Sequence, residues 1–216
     1  MDFFHLLNRG VDKRPIVLDD KDRVRFIHDL FAFNDLHPSP DFVRPERRNE
    51  SPVRPRATLV RIHAFCLMRN HYHLLVSEAR ENGIPLFMKK LNMGYAKYFN
   101  EKYQRVGALW QGKHKKILIE RDAHFMYIPY YIHLNPLDYV MPQWREGKVS
   151  DPKAALEYLR AYRWSSHLDY LGERNFPSIT WRDELSRTLG EPARYLKEIR
   201  GILTSHEFAQ DSTSIE

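Results

Sequence analysis

Met68-Arg69-Asn70-His71-Tyr72-His73-Leu74-Leu75-Val76 is the stretch whose reading decides the fold. Arg69-Asn70 is a tight-hairpin signal between two runs of strand-forming residues, Thr58 to Met68 and His71 to Ser77. Side chains on a strand alternate between its faces, so His71 and His73 share one face and Tyr72 points to the other, into the core. Two imidazoles on one face of a rigid strand supply half of a divalent-metal site. A pair of hydrogen-bonded edge histidines would look the same in sequence.

Further elements arrange themselves around that hairpin. A strand is expected at about Phe3 to Asn8, followed by a turn at Arg9-Gly10. A helix runs from about Asp19 to Leu36, capped by Asp19 or Asp20, with Val24, Ile27, Leu30 and Phe31 as its apolar stripe. Pro85 opens a second helix reaching about Tyr103, and a strand spans about Gly112 to Glu120. The order is β-α-β-β-α-β, an α+β ferredoxin-like sheet, in which the strand bearing His71 and His73 lies at the centre. Between the first helix and the hairpin, His37 to Arg56 holds five prolines and many charges. It reads as a loop insertion over about 37–56, either a phosphate-contacting arm through Arg44, Arg47, Arg48, Arg54 and Arg56 or a solvated linker.

Downstream, Asp122 to Leu134 lacks glycine and carries Phe125, Ile128, Tyr131, Ile132 and Leu134 near helical spacing, interrupted by Pro129. This added helix packs across the histidine face, and residues four apart on it put Tyr131 beside Asn135. A tyrosine and an amide brought to two histidines suit a metal-assisted phenol nucleophile acting on phosphorus. Ordinary amphipathic aromatics would give the same spacing. Tyr130 competes for the role, about 100° around the helix from Tyr131.

These residues carry a family resemblance. The blocks HLLNRGVDKRP (5–15), DKDRVRF (20–26), HAFCLMRNHYHLLV (63–76), LNMGYAKYFN (91–100), GALWQGKHKK (107–116), YIHLNP (131–136) and WSSHLDYLG (164–172) stand in one order. Together they resemble the REP-associated tyrosine transposase branch of the HUH single-tyrosine transposases. The resemblance implies that His71 and His73 ligate a metal, Mg²⁺ or Mn²⁺, and that Tyr131 is the nucleophile. It makes the amide one turn beyond the tyrosine a third ligand. Relatives often carry glutamine there; this chain has the shorter Asn135, and His133 or a water can substitute. Ligand chemistry alone would also admit zinc or nickel on two imidazoles.

The implied activity is transposase strand transfer on single-stranded or hairpin (REP-like) DNA, through a 5′-phosphotyrosine and without a nucleotide cofactor. A DNA- or RNA-binding regulator that has lost cleavage, or a metal-dependent nuclease, are the alternatives. The 216 residues carry a formal charge of +6, which suits a phosphate-rich partner. Asn8, Arg9, Trp110, Gln111, Lys113, Lys115 and Lys116 are the candidate DNA contacts, because glycine-bearing loops next to cations let phosphate approach closely. Aromatics of the second helix, Tyr95, Tyr98 and Phe99, have core spacing instead.

The single cysteine, Cys66, excludes an internal disulfide and reads as a buried thiol in a reducing compartment. No apolar run reaches membrane-spanning length, and the early charges argue against a signal peptide. A cytoplasmic monomer or homodimer is expected. The catalytic domain is placed at 1–140 and a mostly helical extension at 141–207. Trp144 to Asp151 reads as a charged loop, and 208–216 as a disordered tail.

Overall fold

The computed structural model describes residues 1–37, 55–120 and 122–205. Residues 38–54, which hold most of the proline-rich insertion with Arg44, Arg47, Arg48 and Arg54, lie outside the described residues, as does the expected tail 208–216.

Four strands form one antiparallel sheet: β1 (Phe3–Arg9), β2 (Val60–Leu67), β3 (His71–Glu78) and β4 (Lys115–Leu118), in the order β2-β3-β1-β4. With α1 (Asp20–Ala32) and α2 (Gly83–Lys102) between them, the succession is β-α-β-β-α-β, the α+β ferredoxin-like arrangement expected. Arg69-Asn70 does turn the hairpin, closed by the Met68 amide on the His71 carbonyl at 2.8 Å. That pairing sets the register and with it the face of every side chain on β3. Leu6, Phe65, Tyr72, Leu74 and Val76 go under the sheet against α1 and α2. The opposite face carries Leu75 beneath α3 (Asp122–Leu134), which runs through Pro129 as one helix.

Asp19 caps α1 by accepting the Asp22 amide at 2.9 Å, and Asp22 closes a capping box. The α1 stripe differs from the expected one. Phe26, Ile27 and Leu30 are buried, whereas Val24 and Phe31 are exposed. Burial of the Asp22 side chain rotates the helix: its carboxylate takes Lys102, Tyr98 and Tyr103 and clamps α1 onto α2. Gly10 serves the fold as well. A Cβ there would lie 2.3 Å from the Arg14 carbonyl oxygen, so the close approach it permits is to its own chain.

After α3 the chain continues through a 3-10 turn, Asn135–Tyr139, and a second one, Pro142–Glu146, where a charged loop was expected. Trp144 makes the difference, since its indole is buried in the α3 core and donates to Asp138 at 2.7 Å. Helices α4 (Pro152–Ala161), α5 (His167–Tyr170), α6 (Asp183–Leu189) and α7 (Pro192–Thr204) complete that core. The segment Trp164–Ser166 pairs along β2: the Leu67 amide donates to the Trp164 carbonyl and the Ser166 amide to the Phe65 carbonyl. This covers part of a strand edge that would otherwise be open to other chains.

Candidate active site

Register places the site. Across the β1–β3 pair, His71 faces Arg9, His73 faces Leu7 and Leu75 faces His5, all on the α3 side of the sheet. His5 is the diagonal neighbour of His73, and its Nε2 meets His73 Nδ1 at 2.9 Å with the rings stacked 5.1 Å apart. His71 Nδ1 is engaged by Asn70 Oδ1 at 2.7 Å. Each Nδ1 is therefore occupied, the arrangement in which Nε2 does the coordinating. His73 Nε2 is buried with no hydrogen-bond partner among the described residues. Burial, then His71, His5, Arg145 and Arg9, holds the His73 imidazole far below its ordinary pKa, so it is neutral and its lone pair is available.

Helix α3 brings Tyr131 against this pair. Its ring lies 5.7 Å from His73 and 6.1 Å from His5, edge-on to both. Tyr130 turns away and stacks on Tyr195 at 5.5 Å, and burial pushes its phenol up to about 12. Tyr72 is under the sheet with its hydroxyl on Asn92 at 2.7 Å. Tyr127 is buried one turn earlier on α3, its ring 6.3 Å from that of Tyr131.

Asn135 is buried one turn beyond Tyr131. Its Nδ2 donates to the Tyr131 carbonyl at 2.7 Å and its Oδ1 accepts Arg145 at 3.2 Å. Arg145 enters from the second 3-10 turn. Two bonds to Asp138, at 2.7 and 3.0 Å, fix its guanidinium 5.2 Å from the centre of the Tyr131 ring. Burial opposes its charge, but the Asp138 carboxylate and the Tyr131 phenol hold its pKa above the ordinary value. His133 is committed elsewhere. Its Nε2 meets Ser166 Oγ and its Nδ1 the Tyr195 hydroxyl, both at 2.7 Å.

The fit to a metal follows from the donors. Among the described residues no three of His, Cys, Asp and Glu cluster as a metal cage. The set on offer is two imidazoles and one amide oxygen, which leaves positions for phosphate oxygens or water. His5 and Arg145 were missed in sequence. The first lies 68 residues from its partner, and the second sits among charges with no motif of its own.

Beyond Arg9, the β1 and β4 ends form a basic cradle of about 370 Å³ lined by Leu7, Asn8, Arg9, Gln111, Gly112, Lys113 and Lys115. The Arg9 Nε is buried without a partner among the described residues. Asn8 holds the cradle together, its Nδ2 on the Gly112 carbonyl at 3.3 Å and its Oδ1 on the Arg9 amide at 2.9 Å. Trp110 is half-buried and anchored by its indole N–H on the Asn92 carbonyl. Lys116 points to the other face, its ammonium 4.1 Å from the Phe4 ring centre. Arg56 stacks on Phe31 at 3.7 Å and bonds the Phe31 and Asn34 carbonyls, so it secures the end of α1.

Residues 56–135 match the family model described as IS200-like transposase. The matched span contains both strand histidines, Tyr131 and Asn135. A solved structure of a REP-associated tyrosine transposase bound to a REP hairpin is similar at 14% identity, with a TM-score of 0.45, covering 83% of this chain and 84% of that one. No curated protein sequence matches. Among the described residues no helix is long and apolar enough to cross a membrane.

Proposed function

We propose that the protein is a metal-assisted DNA strand transferase that cleaves and rejoins single-stranded or hairpin DNA through Tyr131. The observation that carries this reading is the contact of Tyr131 with His73, which shares its strand face with His71 and whose Nδ1, like that of His71, is engaged. His71 and His73 would hold the ion, with Asn135 Oδ1 as third donor. Mg²⁺ or Mn²⁺ bound there supplies Lewis-acid polarisation of the scissile phosphate.

The chain's own residues do the rest. Arg9, opposite His71 across the β1–β3 pair, and Lys115 in the same cradle fix phosphate oxygens of the bound strand. The Tyr131 oxygen attacks phosphorus and its proton passes to water. The bond to the 3′ oxygen breaks, and that oxygen is protonated to a free hydroxyl, which leaves a 5′-phosphotyrosine. An incoming 3′-hydroxyl then attacks the same phosphorus and displaces Tyr131, so one phosphodiester is exchanged for another and no nucleotide cofactor is consumed. Arg145 cannot accept the phenol proton; its fixed charge stabilises the phenolate as it forms. Tyr131 is fully buried, and the site reaches the surface at His71 and Arg145. The scissile phosphate enters there.

Incubation of a REP-like hairpin oligonucleotide carrying a single-stranded flank with Mn²⁺ tests the reading. Wild type cleaves it, whereas His73→Ala and Tyr131→Phe do not. Cleavage by Tyr131→Phe at the wild-type rate would move the protein to a hydrolytic nuclease; binding without cleavage by wild type would make it a regulator.

A further inference from the structure

A groove of about 290 Å³ opens where α2 passes the loop leading into β4. It shares Asn8, Gly112 and Lys113 with the basic cradle, so the two form one continuous depression. Their walls differ in chemistry. Positions 85, 88, 89, 92 and 93 share one side of α2, and there Pro85 and Met93, above buried Met88, line the groove together with Trp110. Met93 is 63% exposed, a large apolar side chain left uncovered. Lys89, Lys113 and His114 form a cationic rim. Gly112 has open space where a Cβ would lie.

Two features give this groove a defined shape. The Trp110 ring is held edge-on against buried Tyr72 at 5.5 Å, with its N–H on the Asn92 carbonyl at 2.8 Å. The Asn92 side chain is oriented by the Tyr72 hydroxyl, which donates to its Oδ1 at 2.7 Å. With Oδ1 accepting there, Nδ2 is left as a donor at the groove with no acceptor among the described residues.

We propose that this groove receives one unpaired nucleobase of the DNA strand whose phosphates lie in the cradle. A flat base suits a slot with methionine on one side and indole on the other. Its size sits just under the ~300–1,000 Å³ of pockets that enclose whole small molecules, as befits a single base. The Asn92 amide donates to an acceptor on the base edge, a pyrimidine carbonyl or a purine ring nitrogen. Lys89 and Lys113 neutralise the adjoining phosphates. The proposal deepens the DNA reading given above and rests on it.

The test is fluorescence anisotropy of the full chain in EDTA, where cleavage is absent, with labelled oligothymidylate and an abasic oligomer of equal length. Base stacking contributes roughly 1–3 kcal/mol, so the abasic strand should bind about 5- to 150-fold more weakly. Met93→Ala should weaken oligothymidylate selectively and narrow that ratio, whereas Lys89→Ala should weaken both strands alike. Photocrosslinking of a 5-iododeoxyuridine strand should mark peptides containing Met93 or Trp110. Equal affinity for both strands, or a Met93→Ala loss shared by both, overturns the groove and leaves the cradle standing. No binding of either strand overturns the DNA reading itself.

Discussion

The His5–His73 contact carries a quantitative consequence. In His5→Phe the ring volume stays but the 2.9 Å bond to His73 Nδ1 is lost. That nitrogen is then buried without its partner, which costs about 1–3 kcal/mol of folding stability. The effect on metal is separate. Partners that orient a ligating histidine are worth about 10- to 100-fold in metal affinity, or roughly 1.4–2.7 kcal/mol. Mn²⁺ titration calorimetry on wild type, His5→Phe and His5→Gln reads it directly. The glutamine variant retains a hydrogen-bonding group and should recover part of the loss. Mn²⁺ affinity of His5→Phe within about twofold of wild type, while His73→Ala abolishes binding, would show that His5 does not orient the ligand.

Arg145→Ala should lower the cleavage rate far more than DNA affinity, with Arg145→Lys recovering little because a point charge cannot keep the fork on Asp138; equal losses in rate and affinity would contradict this. Burial depresses His63 and His167 to about 4 from the ordinary 6.5. The unfolded chain therefore binds more protons below 6.5, and stability is full above that pH and falls toward 4. Between pH 7 and 5 the loss is about 2 kcal/mol for each of the two, readable by urea denaturation, and a flat profile would refute it. Lys113→Ala and Lys115→Ala should each reduce the slope of log affinity against log salt for single-stranded DNA by about 0.7; an unchanged slope would remove that lysine from the phosphate track.

Local periodicity made much of this legible. Alternation at His71, Tyr72 and His73 assigned the faces of β3 because a strand's period is two. The four-residue step from Tyr131 to Asn135 survives because helical backbone carries on from the end of α3 into the 3-10 turn that begins at Asn135. What escaped depends on contacts distant in sequence. His5 reads as one more strand residue until β1 pairs with β3, and Arg145 as one more surface charge until Trp144 buries and turns its segment inward. The stripe of α1 was misjudged because Asp22 looks like a solvent-facing acid, yet two tyrosines and Lys102 satisfy it in the interior. Trp164-Ser165-Ser166 had no evident role before β2 emerged as an edge strand needing a cover.

Denaturing electrophoresis after incubation with a labelled hairpin oligonucleotide and Mn²⁺, followed by peptide mapping of any adduct, is the most direct test of the central claim. The account predicts a covalent protein–DNA species on the α3 peptide at Tyr131, absent in Tyr131→Phe, which still binds DNA and metal. An adduct mapped to Tyr130 or Tyr127, or cleaved DNA with no adduct at any residue, would contradict it.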